Sequence, residues 1–139
     1  MAFQPDILIT TPDGRVMVIE AKVTIDDLPR TEEALKGYMV GMQYPFGLLI
    51  TPEQGWVYRD SYSSIFPTSV KRVEEFDSTR IWRQNPPCEG QEFEAFVQQW
   101  FEDLADFPAA WLPPQFKDIV QGYVLPAIAG GEVRAAHPR

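Results

Sequence analysis

The stretch that decides the fold is "PDILITTPDGRVMVIEAKV", residues 5–23. It contains two apolar runs, "ILIT" and "VMVI", separated by the turn sequence "TPDG". Gly14 can take the positive φ that a tight turn requires. Because the second run is apolar at consecutive positions, it favours a strand that is buried on both faces. The stretch therefore predicts a β-hairpin with strands at 6–10 and 15–23, the second of them central in a sheet.

Charged residues end the second predicted strand. Side chains two residues apart in a strand share a face, so Glu20 and Lys22 should point the same way. A hairpin centred near residue 13 places Asp6 beside Glu20. We expect two carboxylates and one ammonium to gather at one end of the strand pair. The spacing alone leaves an alternative open, in which Asp6 only begins a strand and Glu20 and Lys22 form a weak, solvated ion pair.

Two adjacent carboxylates repel each other unless a positive charge lies between them. Mg²⁺, or Mn²⁺ in its place, meets that need, because it prefers oxygen ligands and often uses only one or two carboxylates. With Lys22 beside it, such a site suits metal-assisted hydrolysis of a phosphodiester. Asp13, in the second "PD", is assigned to the turn itself, where Asp is favoured.

The residues after the hairpin predict a helix and two more strands. Thr31 is the predicted helix cap, and the helix should run to about Gln43. Strands are expected at 46–51 and 56–61, and the strand–helix–strand order favours parallel pairing of 15–23 with 46–51. The segment "SVKRVEEF" at 69–76 is either an edge strand or a helical turn. The apolar stripe of the helix comprises Leu35, Tyr38, Met39 and Met42.

The last third of the chain should be helical. We expect one helix from Gln91 to Phe107, a second from Pro113-Pro114, and a frayed tail at 132–139. The chain is read as one domain over 1–139, with a core sheet and helix at 1–62 and an additional strand, loop and two helices at 63–139. Glu92, Glu94 and Glu102 are assigned to the solvated face of the first of these helices. Its apolar stripe comprises Phe93, Phe96, Val97, Trp100, Phe101 and Leu104.

Composition excludes several classes of protein. A hydrophobic fraction of 45% argues against disorder. The formal net charge of −8 argues against a non-specific nucleic-acid binder with a broad basic face. One histidine, His137, and one cysteine, Cys88, argue against zinc sites, His-based catalysis and internal disulfides. Since no apolar run reaches membrane-spanning length, we expect a cytoplasmic protein without a membrane partner.

The hairpin and the elements after it carry a family resemblance. Pro5-Asp6, a turn, and Glu20-Ala21-Lys22 after four apolar residues resemble the PD-(D/E)XK nuclease superfamily. Residues 5–60 as a whole resemble the N-terminal nuclease domain of type I restriction enzyme motor subunits. The resemblance implies an α/β fold, with a restriction-endonuclease-like mixed β-sheet flanked by helices and, here, a helical C-terminal segment.

The resemblance also implies roles for individual residues. Asp6 and Glu20 would bind the metal, with the Ala21 backbone carbonyl as a further ligand. Lys22 would position the attacking water and stabilise charge at phosphorus. Tyr38 would match the tyrosine of an accessory Gln-x-x-x-Tyr pattern, although its place in the apolar stripe also fits core packing.

The sequence departs from the family pattern in two places, and both concern parts that the family usually has. Ala34 stands where the accessory pattern has Gln. Only residues 1–4 precede Pro5, where the superfamily usually has a helix that often carries a glutamate. Either that helix is dispensed with, a C-terminal helix replaces it, or another chain supplies it. We therefore expect a Mg²⁺-dependent nuclease that acts on nucleic acid, DNA in the first place. It would work as a homodimer or in a larger complex. The alternative is a non-catalytic interaction or regulatory subunit of the same fold.

Overall fold

The computed structural model describes residues 5–82, 84–106 and 131–136. Over these residues the chain is an α/β protein with a six-stranded mixed sheet and two long helices. Two single-turn 3-10 helices, Pro67–Ser69 and Ser78–Arg80, flank the fifth strand. The strands are β1 (Ile7–Thr10), β2 (Val16–Ala21), β3 (Phe46–Ile50), β4 (Gln54–Asp60), β5 (Val70–Asp77) and β6 (Glu132–Ala135), and the helices are α1 (Leu28–Met42) and α2 (Gly90–Asp106).

The predicted hairpin is confirmed. β1 and β2 are antiparallel, and Ile7 pairs with Ile19. Gly14 has φ of 88°, which a residue with a side chain would adopt only with strain. The Thr11 backbone N–H donates to the Arg15 carbonyl oxygen at 2.8 Å and closes the turn. Because the pairing sets the register, one step beyond Ile7 and Ile19 brings Asp6 opposite Glu20.

β2 is central in the sheet, as its apolar run predicts. The strand order is β5-β4-β3-β2-β1-β6, so β2 has a neighbour on each side. It pairs antiparallel with β1 and parallel with β3. Val18 and Ile19 in its middle are both fully buried, which means that both faces of the strand are covered. The parallel pairing of β2 and β3 is the one expected from the strand–helix–strand order.

The start of α1 differs from the prediction. Asp27, not Thr31, caps the helix, since the Asp27 carboxylate accepts the Arg30 backbone N–H at 3.2 Å. Thr31 lies one turn inside, where its hydroxyl donates to the Asp27 carbonyl oxygen. Pro29 in the first turn has no N–H to satisfy, so the helix can begin before it. The predicted end is confirmed by Gln43, which is the C-cap in a left-handed conformation.

The two helices cover different parts of the core. Leu35 and Met39 of α1 are fully buried in one cluster, whereas Met42, expected in the same stripe, is 49% exposed. The stripe of α2 packs as predicted into the other cluster. None of the helices described here is long and apolar enough to cross a membrane. The buried members of the α2 stripe are Phe93, Val97, Trp100, Phe101 and Leu104, with Phe96 partly buried beside them.

Three further segments settle or correct the predictions. Val70–Asp77 is the edge strand β5 rather than a helical turn. The frayed tail was a wrong prediction for Glu132–Ala135, which pairs with β1 as β6. An edge strand of four residues has little hydrophobic periodicity, and its stability comes from backbone pairing with β1. The second C-terminal helix, predicted from Pro113, lies outside the described residues, and the division at residue 62 stays a prediction.

A buried polar network that the sequence did not reveal fixes α1 to the sheet. The Tyr58 hydroxyl donates to Glu32 Oε2 at 2.5 Å, and Arg72 Nε donates to the same oxygen at 2.8 Å. Burial, together with the neighbouring Glu32 carboxylate, raises the pKa of the Tyr58 hydroxyl, so it stays a donor. Since the three residues come from α1, β4 and β5, the network sets the position of the helix on the strands.

Candidate active site at the carboxyl end of the second strand

The hairpin register brings the Asp6 carboxylate to β2. Asp6 is only 4% exposed, and its backbone N–H donates to the Ile19 carbonyl oxygen at 3.1 Å. Its carboxylate Oδ2 accepts the Ala21 backbone N–H at 2.8 Å. The side chain therefore lies against the backbone of β2, just where the ladder between β1 and β2 ends. The hydrogen bond from the Ala21 N–H orients the Asp6 carboxylate before any ligand binds.

Glu20 of β2 and Lys22, just after the strand, lie close to the Asp6 carboxylate. The Lys22 ammonium Nζ lies 2.6 Å from Glu20 Oε1. The Glu20 side chain is 3% exposed and that of Lys22 is 45% exposed. The Lys22 backbone N–H donates to the Ile50 carbonyl oxygen, which fixes this end of β2 to β3. The ammonium thus stands between the buried carboxylates and solvent.

One oxygen of Glu20 lacks a hydrogen bond. Glu20 Oε2 is buried, and within the described part of the chain it has no hydrogen-bond partner. The neighbouring Asp6 carboxyl could satisfy it only by holding a proton, because two ionised carboxylates both accept. A buried acceptor without a donor is costly, and more so when it carries charge. A cation between Asp6 and Glu20 would satisfy this oxygen, so the residues present fit a divalent metal.

The electrostatics show how unfavourable the pair is without a cation. Burial, and next the charge of Glu20, raise the pKa of Asp6 to about 6. Burial also raises the pKa of Glu20, despite its ion pair with Lys22. Burial opposes the charge on Lys22, but Glu20 and Asp6 outweigh it and raise the pKa of the ammonium. The site therefore holds two carboxylates that ionise reluctantly beside one lysine that stays charged.

A third carboxylate reaches the site from α2. The Glu94 carboxyl hydrogen-bonds the Asp6 side chain, and its charge acts on Glu20 and Lys22. The prediction of a solvated Glu94 was wrong, although Glu92 is exposed as expected. Glu94 lies three residues before the buried Val97, on the flank of the apolar stripe, and this phase was the one signal that could have found it.

The carboxylates do not form a large ligand cluster. Within residues 5–82, 84–106 and 131–136, no three His, Cys, Asp or Glu side chains are arranged to hold a metal ion together. A divalent ion would therefore depend on Asp6, Glu20 and the Ala21 carbonyl, with water completing its shell. That ligand set stays a prediction, and it is in keeping with the few protein ligands that Mg²⁺ usually takes.

Tyr38, the predicted accessory residue, is not brought to the carboxylates. Its ring packs edge-on against Tyr44, with ring centroids 5.8 Å apart. Tyr44 precedes β3, whose first residue, Phe46, pairs with Met17 at the start of β2. Tyr38 therefore belongs to the opposite end of β2 from Glu20. Its position and its half-buried ring favour the core-packing interpretation.

Asp13 also lies away from the site, as predicted. It is in the exposed turn, where its carboxylate pairs with Arg15 at 3.0 Å and accepts the Thr11 hydroxyl. Of the two "PD" sequences, only the first contributes to the carboxylate cluster.

Comparison of the chain with known families, curated proteins and solved structures finds no match in any of the three. The functional assignment therefore depends on the chemistry of Asp6, Glu20 and Lys22.

Proposed function

We propose that the chain is a Mg²⁺-dependent nuclease of the PD-(D/E)XK type that hydrolyses phosphodiester bonds in DNA. The observation that carries the proposal is the buried pair of Asp6 and Glu20, with Lys22 beside it and one oxygen of Glu20 unsatisfied. Buried like charges are disfavoured in a folded protein unless something binds between them. A purely structural role for the pair requires the Asp6 carboxyl to hold a proton and donate it to Glu20.

The order of elements supports a restriction-endonuclease-like fold. Asp6 precedes an antiparallel hairpin, Glu20 and Lys22 end its central second strand, and a helix leads to a parallel third strand. This is the arrangement that the resemblance over residues 5–60 implies. The six-stranded mixed sheet with flanking helices is compatible with it.

The residues present suggest how the chemistry would be divided. Asp6, Glu20 and the Ala21 carbonyl would hold the divalent ion. When bound, Mg²⁺ neutralises negative charge on the phosphodiester and lowers the pKa of a water. Asp6 is already oriented by the Ala21 N–H, so binding needs little rearrangement of that side chain. Glu94, bonded to Asp6, would help keep that orientation.

Lys22 has a different part. Its ammonium is half-exposed, so it can contact a water or a phosphoryl oxygen arriving from solvent while it remains paired with Glu20. A fixed positive charge at that place stabilises the negative charge that develops at phosphorus. Lys22 would hold and orient the attacking water and would not be needed to retain the metal.

The experiment is cleavage of single- and double-stranded DNA with Mg²⁺ or Mn²⁺ at low salt, because an acidic chain binds polyanions weakly. We expect Lys22→Ala to lower the rate by about 10²–10³-fold, the usual effect of losing a preorganised charge stabiliser. It should keep the metal-dependent rise in melting temperature, whereas Asp6→Ala should lose both the rise and the cleavage. Asp13→Asn, in the second "PD", is the matched control and should cleave like the parent chain.

Equal cleavage by the parent chain and Lys22→Ala would refute the assignment of the site. The alternative function, a non-catalytic interaction or regulatory subunit, is favoured by one observation: Lys22 already neutralises one oxygen of Glu20 at 2.6 Å. In that case the parent chain would neither cleave DNA nor gain stability from Mn²⁺. The nuclease proposal includes action as a homodimer or within a larger complex. The elution volume of the active fraction in size-exclusion chromatography would test this.

A further inference from the structure

A cleft lies at the end of β4, apart from the carboxylate pair. Its volume is about 380 Å³. Arg59 of β4 pairs with Phe46, which in turn pairs with Met17 at the start of β2. The cleft is therefore at the opposite end of the strands from Glu20. Its lining residues are Arg59, Asp60, Ser61, Tyr62, Lys71 and Val73.

The two cations of the cleft lie side by side on neighbouring strands. Arg59 and Lys71 are direct partners across β4 and β5, and like charges at such positions destabilise a sheet. Neither of them makes an ion pair within the described ranges, although the chain as a whole has a net charge of −8. The Arg59 guanidinium lies over the Phe46 ring, 5.9 Å from its centroid, which orients it. An oriented guanidinium with an ammonium beside it suits an anion with several oxygens, such as a phosphate.

The one carboxylate in the cleft is already engaged. Asp60 is only 4% exposed and accepts hydrogen bonds from the Tyr62 backbone N–H at 2.8 Å and the Ser69 hydroxyl at 2.6 Å. It faces away from Arg59, because neighbouring side chains in a strand point to opposite faces. Asp60 therefore shapes the loop rather than neutralising the cations.

The loop that Asp60 shapes displays an aromatic ring at the edge of the cleft. Tyr62 is 64% exposed and has φ of 56°, in the left-handed region that a tyrosine seldom occupies. Strained backbone of this kind persists where its surroundings over-determine it and is concentrated at binding sites. Phe66 on the same loop is 62% exposed. An exposed aromatic face beside two cations is the combination with which proteins hold unstacked bases and the backbone that joins them.

We propose that Arg59, Lys71 and Tyr62 form a contact for single-stranded nucleic acid, in which the two cations bind a backbone phosphate and the Tyr62 ring stacks on a base. The choice of nucleic acid as the ligand rests on the proposed nuclease function. A duplex would fit poorly, because its bases are stacked on one another and their faces are not available to Tyr62. Since the cleft is at the far end of the strands, it would bind a segment flanking the one at Lys22.

The test is fluorescence anisotropy of a labelled oligothymidylate with the full chain in EDTA, where no metal-dependent cleavage occurs. We expect Arg59→Gln with Lys71→Gln to make the slope of log K against log salt less steep by about 0.7, since the two cations share one phosphate and each phosphate contact to a single strand contributes about 0.7. Tyr62→Asn, which tolerates the left-handed backbone, should weaken binding by about 5- to 150-fold, the range for one stacked base. Arg30→Gln, which removes an exposed cation from α1, is the matched control and should change neither quantity.

Several outcomes would overturn the proposal. The parent chain could fail to bind, the cleft variants and Arg30→Gln could have equal effects, or the parent chain could bind duplex and single strand with equal affinity. Cleavage assays on the same variants separate this proposal from the nuclease proposal. If the parent chain never cleaves DNA but the cleft variants lose binding, the cleft proposal is supported and the nuclease proposal is refuted. If the parent chain cleaves DNA with a metal but the cleft variants bind as well as it does, the nuclease proposal is supported and the cleft proposal is refuted.

Discussion

Replacing Asp6 with Asn should stabilise the metal-free protein at neutral pH. Each pKa unit corresponds to about 1.4 kcal/mol. The pKa of Asp6 is raised from its ordinary 3.8 to about 6. Ionising this buried carboxyl in the folded state therefore costs about 3 kcal/mol. Asn has the same shape, carries no charge, and can still accept the Ala21 N–H. We expect Asp6→Asn to increase the free energy of unfolding by about 1–3 kcal/mol at pH 8.

The sign of the pH dependence follows from the same shift. Between the unfolded pKa and about 6, the folded protein binds more protons at Asp6 than the unfolded chain does. The free energy of unfolding of the parent chain should therefore fall as pH rises through this window, and the whole penalty is present above it. At pH 5 only about half of the penalty remains, so the advantage of Asp6→Asn should be about half as large.

The assay is urea denaturation in EDTA, followed by tryptophan fluorescence at pH 5 and pH 8. Asp13→Asn is the control, because Asp13 is exposed and its hydrogen bond from Thr11 lowers its pKa, so its loss should bring no stabilisation. In buffer without EDTA, free Mn²⁺ at 100 times its dissociation constant should stabilise the parent chain by about 2.7 kcal/mol and Asp6→Asn far less. A variant that is less stable than its parent at pH 8, or equally changed at both pH values, would refute the reasoning.

Two packing predictions test the fold that carries the site. Trp100→Ala should lower the free energy of unfolding by about 3–5 kcal/mol, because the side chain is 7% exposed and packs edge-on against Trp82 and Phe101; a loss below about 1 kcal/mol in urea denaturation would show that the stripe is a surface. Gly55→Ala should cost about 1–3 kcal/mol, since its new Cβ would lie 2.1 Å from the buried Phe76 ring. Gly47→Ala should cost less, because the atom it meets is the flexible Met39 thioether; equal losses would contradict this account.

The strands that form the site were predictable because local pattern and tertiary structure agree there. A four-residue apolar run, a turn with Gly14 and charges at 20 and 22 leave one register that buries the apolar side chains. The start of α1 was mispredicted because Asp27 and Thr31 are both good caps, and sequence alone does not rank them when Pro29 lies between. Met42 was mispredicted because the apolar stripe continues to the last residue of α1, where the side chain is 49% exposed.

The contributions of distant segments could not be read from the sequence. β6 has four residues, and its place depends on an open edge of β1, more than a hundred residues earlier. Glu94 reaches Asp6 because α2 packs on the sheet, and its phase beside the apolar stripe does not identify Asp6 as the partner. The network of Glu32, Tyr58 and Arg72 joins three elements in the same way. These contacts depend on long-range packing, which short-range periodicity does not record.

The most direct test of the central claim is the anomalous density of crystals of the chain soaked in Mn²⁺. We expect one strong peak between Asp6 and Glu20, about 2.0–2.2 Å from an oxygen of each carboxylate. Glu20 Oε2, the oxygen without a hydrogen bond, should be one of the ligands. The same soak of Asp6→Asn should give a much weaker peak. An ordered crystal in which Mn²⁺ binds elsewhere, or in which Asp6 and Glu20 remain in contact with no peak between them, would contradict the account.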